Sequence, residues 1–248
     1  MTFLPSNTAV FKSLLRADLT TQWRNRRASM MVILVPCIIL VSWKSLVDKI
    51  GAANVLSNCI TVGLTAIGLM GYTNSIARDR EKGIFQRLRV APASNWNIMA
   101  SRLAVQLLMI LIVTIVVFIV GKQVDGINIS LTGYLTGFCM AIIGGAVYLA
   151  LGQIIVGLIK NPEMVNATAR LVYFAFIVIG MFGGLGMLGD FVKDLTKYSP
   201  YGTVKMIVAA GLQPETWNNE SWIALLMTLG YTIVFAIFGI KWFRWSNR

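Results

Sequence analysis

Residues whose types and spacing suit chemistry are gathered in one stretch, Arg78–Arg102, which reads R-D-R-E-K-G-I-F-Q-R-L-R-V-A-P-A-S-N-W-N-I-M-A-S-R. Six basic residues (Arg78, Arg80, Lys82, Arg87, Arg89, Arg102) and two acidic ones (Asp79, Glu81) fall within it. Their chemistry is recognition rather than catalysis. Guanidinium and carboxylate groups make charge-assisted hydrogen bonds to a partner. Ile84, Phe85, Leu88 and Trp96 share one face of a short helix that would fill an apolar groove. Gly83 starts or bends that helix and Pro92 ends it, because proline disfavours helical geometry in the residue before it. Two readings of the stretch stand side by side: a basic loop under lipid headgroups, or a helix that docks on a second protein.

Other chemistries are excluded residue by residue. The chain has no histidine, which removes His-based triads, His-ligated zinc and His proton relays. Cys37, Cys59 and Cys139 are far apart in apolar runs, so they suggest small buried hydrophobes rather than a disulfide framework or a metal site. No G-x-x-x-x-G-K-[ST] occurs, and the one Gly-Lys pair, Gly121-Lys122, runs into Gln123. The chain therefore has no phosphate-cradling loop of its own. Its apolar segments hold no Asp or Glu. That leaves no acid–base pair for an intramembrane hydrolase and no mid-membrane ion site of the kind secondary transporters use.

The elements that position the charged stretch follow from composition. The sequence is 56% hydrophobic and 13% charged over 248 residues, where a soluble domain has about 25% charged residues. This is an all-α polytopic membrane protein with six transmembrane helices in a single domain, 1–248. The spans are expected at about 28–47, 55–77, 98–120, 131–159, 166–188 and 222–240. Pro36 should kink the first. Residues 1–27 place Val10, Phe11, Leu14, Leu15, Leu19 and Trp23 on one helical face, the pattern of an interfacial helix rather than a signal peptide. The link 78–97 joins spans two and three. Within 190–221, Asp190, Lys193, Asp194 and Lys197 suggest a short surface helix. Thr203–Leu212 is too short to span, so a re-entrant or interfacial helix is expected before span six.

Two patterns inside the spans stand out. Asn54, Asn58, Thr61, Thr65 and Tyr72 line one face of span two, either packing against other helices or lining a translocation path. Gly133, Gly137, Ala141 and Gly145 recur at four-residue steps in span four, a row that lets helices approach closely within the subunit or across a dimer.

Charge sets the orientation. Of 22 basic residues, sixteen lie in the two terminal segments, the link and the turn near Lys160, and the net charge of +12 sits wholly on that side. Both termini are therefore expected in the cytoplasm. The basic face is an orientation signal and an anionic-lipid surface, not a nucleic-acid site. Trp23, Trp43, Trp96, Trp217, Trp222, Trp242 and Trp245 fall near span ends, as an interfacial belt requires.

The order Arg78-x-x-Glu81-x-Gly83-x-x-x-Arg87-Leu88-x-x-x-Pro92-x-Ser94, followed by Ser101-Arg102, resembles the type-2 family of ATP-binding-cassette exporter permeases. Ile84 and Ser101-Arg102 depart from the family's frequent Thr and Gly-Lys. The resemblance implies that the link carries a coupling helix (Arg78, Glu81, Gly83, Phe85, Arg87, Leu88, Pro92) seated on a separate ATPase, which holds the ATP and magnesium. It implies an inner or cytoplasmic membrane location, a second permease (identical or not), and a drug, antibiotic or peptide-toxin cargo. A polysaccharide or lipid-linked glycan exporter is the alternative. The topology has a direct test: cysteines replacing Ser94 and Asn247 should be labelled only from the cytoplasm and one replacing Asn218 only from outside. Labelling of the Ser94 position from outside would contradict the six-span arrangement.

Overall fold

Inside a bilayer every backbone polar group needs an internal partner, so apolar runs of this length fold as helices. The computed structural model describes residues 7–24, 26–84, 86–87 and 95–242. They form α1 (Asn7–Arg24), α2 (Arg26–Ser42), α3 (Lys44–Ile50), α4 (Ala52–Glu81), α5 (Asn95–Asp125), α6 (Leu131–Leu158), α7 (Pro162–Gly183), α8 (Asp190–Lys197), α9 (Pro200–Leu212) and α10 (Asn219–Trp242). No strand occurs among the described residues. Helices α4, α5, α6, α7 and α10 are each long and apolar enough to cross a membrane, and α2 with α3 makes a sixth, bent by 67°.

That bend is not where the proline suggested. Helix α2 continues as α-helix through Pro36, and the 67° bend falls at Trp43, whose N–H is shared between the carbonyls of Ile39 (2.9 Å) and Leu40 (3.1 Å). Pro36 is accommodated because it faces Gly63 of α4, where a Cβ would lie 3.3 Å from its ring. Lys44, Asp48 and Lys49 load α3 with charge, so it turns aside while Leu46, Val47 and Ile50 stay packed on the core. At the other boundaries local chemistry acts as expected. Asn161 caps α7 by accepting from the N–H of Glu163 (2.8 Å), with Pro162 at the first helical position.

Helix α4 is the axis of the bundle: 89% of its most apolar stretch is buried, against 17% for α10. It crosses α6 backbone to backbone. A Cβ on Gly152 would lie 2.6 Å from the Gly68 carbonyl and 2.6 Å from Thr73 Oγ1. The crossing falls in a π-helical segment, Ala66–Tyr72. There the Thr73 hydroxyl donates to the Gly68 carbonyl at 2.8 Å.

Helices α8 and α9 form the hairpin expected before the last span. The Ser199 side chain accepts from Gly202 N–H (3.1 Å) to start α9. That start lies beside Tyr148, well inside the bundle, and α9 then climbs to Leu212, beside Gly133 at the first turn of α6. The small-residue row of α6 is used within the chain. Gly133 and Gly137 face Leu212, Gly145 faces Ile110 of α5, and Ala141 is fully buried. Helix α1 has no buried residue and lies along α5 with Trp23 75% exposed.

The α4–α6 crossing predicts an asymmetry between two glycines. Gly152→Ala should destabilise the purified protein by about 1–3 kcal/mol, because the new methyl meets backbone. Gly230→Ala has open space around it and should stay within about 0.5 kcal/mol of wild type. Thermal unfolding in detergent reads both.

Candidate functional site

The last turn of α4 carries two opposite charges on consecutive residues, Asp79 and Arg80, and both are buried, at 6% and 4% exposure. Neither can face lipid unpaired, so each is satisfied by a different neighbour. Asp79 Oδ2 accepts from Arg102 of α5 at 2.7 Å, with both side chains nearly sealed from solvent. Breaking a buried pair by removing one partner typically costs about 3–5 kcal/mol. Arg80 reaches the other way, donating to the carbonyls of Val156 (2.8 Å) and Ile159 (3.0 Å) at the C-terminal end of α6. The last carbonyls of a helix lack intrahelical donors and bear partial negative charge, so a guanidinium is well matched to them.

A third element joins the same corner. Ser101, fully buried, donates to Asp18 of α1 at 2.7 Å. Burial pushes the Asp18 carboxyl above the usual carboxylate range. The positive charge of Arg102 and the Ser101 hydrogen bond oppose that shift, and the charge of Asp79 adds to it. Between α1, α4 and α5 lies a polar cavity of about 20 Å³, bordered by Asp18, Tyr72, Ser75, Asp79, Arg102 and Gln106. It is large enough for a water. Above it, Tyr72 OH donates to Gln153 of α6 at 2.5 Å, so α4 and α6 are bonded at both the cavity and the helix end.

Beyond this corner the chain becomes exposed. Glu81, Lys82 and Arg87 face solvent and Arg78 is partly covered. Gly83 adopts φ +65°, a left-handed conformation that favours glycine. A new turn starts there, with Arg87 N–H bonded to the Gly83 carbonyl at 3.2 Å. Phe85, Leu88 and Pro92 lie outside the described residues.

The polar face of α4 is largely internal. Asn58, Thr61, Thr65 and Tyr72 are buried, whereas Asn54 is exposed. Thr61 and Thr65 donate to the carbonyls four residues back, both at 2.7 Å. Asn58 donates to the Asn54 carbonyl (2.9 Å) and accepts from Tyr201 of α9 (3.4 Å). The face is therefore a seam against α6 and α9 in this conformation, and cargo could touch it only if α9 withdrew.

Sequence reasoning assigned the coupling role to Arg78, Glu81, Gly83, Phe85, Arg87, Leu88 and Pro92; it placed Asp79, Arg80 and Ser101-Arg102 in the same stretch without a buried role, and gave Asp18 none. A signal was present. Arg102, opening the next apolar helix, is a basic partner within reach of the acidic residues that end α4.

No curated protein matches the chain. The profile of the family described as ABC-2 family transporter protein matches residues 45–241. That stretch takes in α4 to α9, nearly all of α10, and so the whole corner built by Asp79, Arg80 and Arg102. With most of its length matched, and with its long apolar helices, the chain belongs to the ABC-2 transporter family as a membrane-spanning subunit, not an ATP-hydrolysing one.

Proposed function

We propose that the chain is the permease subunit of an ATP-driven exporter that moves a hydrophobic or amphiphilic cargo outward through the cell membrane. A separate cassette ATPase binds the exposed link, and a second permease, identical or not, completes the path. Both termini and the link lie in the cytoplasm. One observation carries the reading. The base of the link is buried and bonded to two other helices, to α5 through Asp79–Arg102 and to α6 through Arg80, with α5 bonded in turn to α1 through Ser101, while Glu81, Lys82 and Arg87 immediately beyond it are exposed. A loop that only trailed under headgroups would need no such footing. A loop that receives force does, because displacement of its tip then moves whole helices rather than a hinge.

In this reading the ATPase supplies all nucleotide and magnesium chemistry, and the permease supplies the contact. Glu81 and Arg87 present charged groups for charge-assisted bonds across the interface, and Phe85 and Leu88 offer apolar anchors. The seam of Asn58, Thr61, Thr65 and Tyr72 becomes part of the path when α9 separates from α4. Neutral amides and hydroxyls would then meet an amphiphile without holding it tightly. The apolar stretches 55–77, 98–120, 131–159, 166–188 and 222–240 hold no Asp or Glu, which favours such cargo over a metal ion.

Glu81→Ala, made in the permease purified with its co-expressed ATPase and reconstituted in proteoliposomes, should lower ATP-driven efflux of a fluorescent hydrophobic dye by about tenfold, the loss of one charge-assisted contact. Insertion should be unchanged. Efflux at the wild-type rate would reduce the link to an anchor loop, and efflux without any ATPase would contradict the proposed function itself.

A further inference from the structure

The proposed function leaves open how a push on the link reaches the opposite end of the membrane, where the cargo must leave. Three helices start from the corner, and they are not equally fit to carry displacement. Helix α4 touches the hairpin directly through Asn58 and Tyr201. Between Arg80 and Asn58, however, it passes through the π-helical segment Ala66–Tyr72, where the regular α-helical hydrogen-bond ladder is interrupted. Helix α5, held by Asp79–Arg102, packs chiefly on α1, α2, α4 and α6. Helix α6 is different. It is an uninterrupted α-helix from Leu131 to Leu158, about 42 Å long at the usual rise.

Both ends of α6 are tied. At the link end its final carbonyls, Val156 and Ile159, are held by Arg80. At the hairpin end its contacts with α9 leave almost no slack. Gly133 lies against the Leu212 carbonyl, Gly144 against Val204, Thr136 Oγ1 donates to the Gly211 carbonyl, and Tyr148 OH donates to that of Pro200 (3.5 Å). Close-packed contacts of this kind transmit displacement because they cannot be compressed.

We propose that Arg80 is a positioning residue that hands movement of the link to α6, which carries it as a rigid rod to the α8–α9 hairpin. The inference rests on the coupling role assigned to the link. Arginine is needed because its planar fork spans two carbonyls at once, whereas a lysine ammonium is a single point of attachment. Asp79, its neighbour, anchors the link to α5 and keeps Arg80 aimed at α6.

The test places one reporter cysteine at the exposed Gln213, just past α9, with Cys37, Cys59 and Cys139 replaced by alanine. The complex with its ATPase is studied in lipid nanodiscs, and maleimide labelling is measured with and without ATP, magnesium and vanadate. In the wild-type background labelling should change on trapping. Arg80→Gln should shrink that change by about tenfold, as expected when charge-assisted bonds are lost, and Arg80→Lys should recover part of it. An undiminished change in Arg80→Gln would overturn the proposal while leaving the proposed function intact. No change in the wild-type background would overturn both. If Arg80→Gln fails to assemble, cysteines at Arg80 and Lys160 joined by a short bifunctional thiol reagent serve instead. The response should appear only when the bridge is closed, and an equal response with the bridge open would contradict the role of Arg80.

Discussion

A charge taken out of water must be matched, and at the end of α4 two are taken out together. Asp79 and Arg80 follow each other in the chain, so on a helix they point in different directions and cannot share one partner. The negative one draws in the first turn of α5, through Arg102, and the positive one draws in the last turn of α6. Because desolvation makes each contact costly to break, the crossing of α4, α5 and α6 at this end is held by one buried ion pair and by charge-assisted hydrogen bonds from Arg80 to helix-end carbonyls, beside the apolar packing of Ile76, Ile98 and Val156. Apolar packing orients helices weakly in a bilayer, since lipid tails are as apolar as the side chains they replace.

With one end fixed by charge, the rest of the bundle is fixed by the absence of side chains. Gly68 and Gly152 let α4 and α6 touch through their backbones, and Gly133, Gly137 and Gly144 seat α9 against α6. The two devices are complementary. Ionic contacts resist separation at the link end, and glycine contacts resist compression along the rest of α6. The π-helical segment of α4 lies between them. Thr73 donates to the Gly68 carbonyl there, so the irregular turn of α4 sits at the level where the helices cross backbone to backbone.

Much of this was legible in the sequence, for reasons that can be stated residue by residue. Helix length and apolarity revealed the spans. Asn161-Pro162 and Ser199-Pro200 lie at turns and cap the helices that follow, because capping and proline act locally, and the four-residue row of α6 suggested a close contact. What was not legible depended on where distant residues meet. Pro36 suggested a kink, whereas the 67° bend falls at Trp43, and the Pro36 ring packs beside Gly63, a contact with another helix that its own stretch does not reveal. Asn54 shares a helical face with Asn58, but only the latter meets Tyr201 and is buried. Arg80 read as one more basic residue of a basic loop. Nothing within its own stretch reveals that the end of α6, far along the chain, returns to meet it.

The central claim is that the buried corner works as one unit rather than as separate residues that happen to be near each other. A double-mutant cycle on Asp79→Asn and Arg102→Gln, read as ATP-driven efflux by the reconstituted complex, tests it most directly. If the pair acts as a unit, either single change should lower efflux by at least about tenfold, and the double variant should fall little further, because the second change removes a partner already lost. Losses that simply multiply would show that the two residues act independently and would contradict the account.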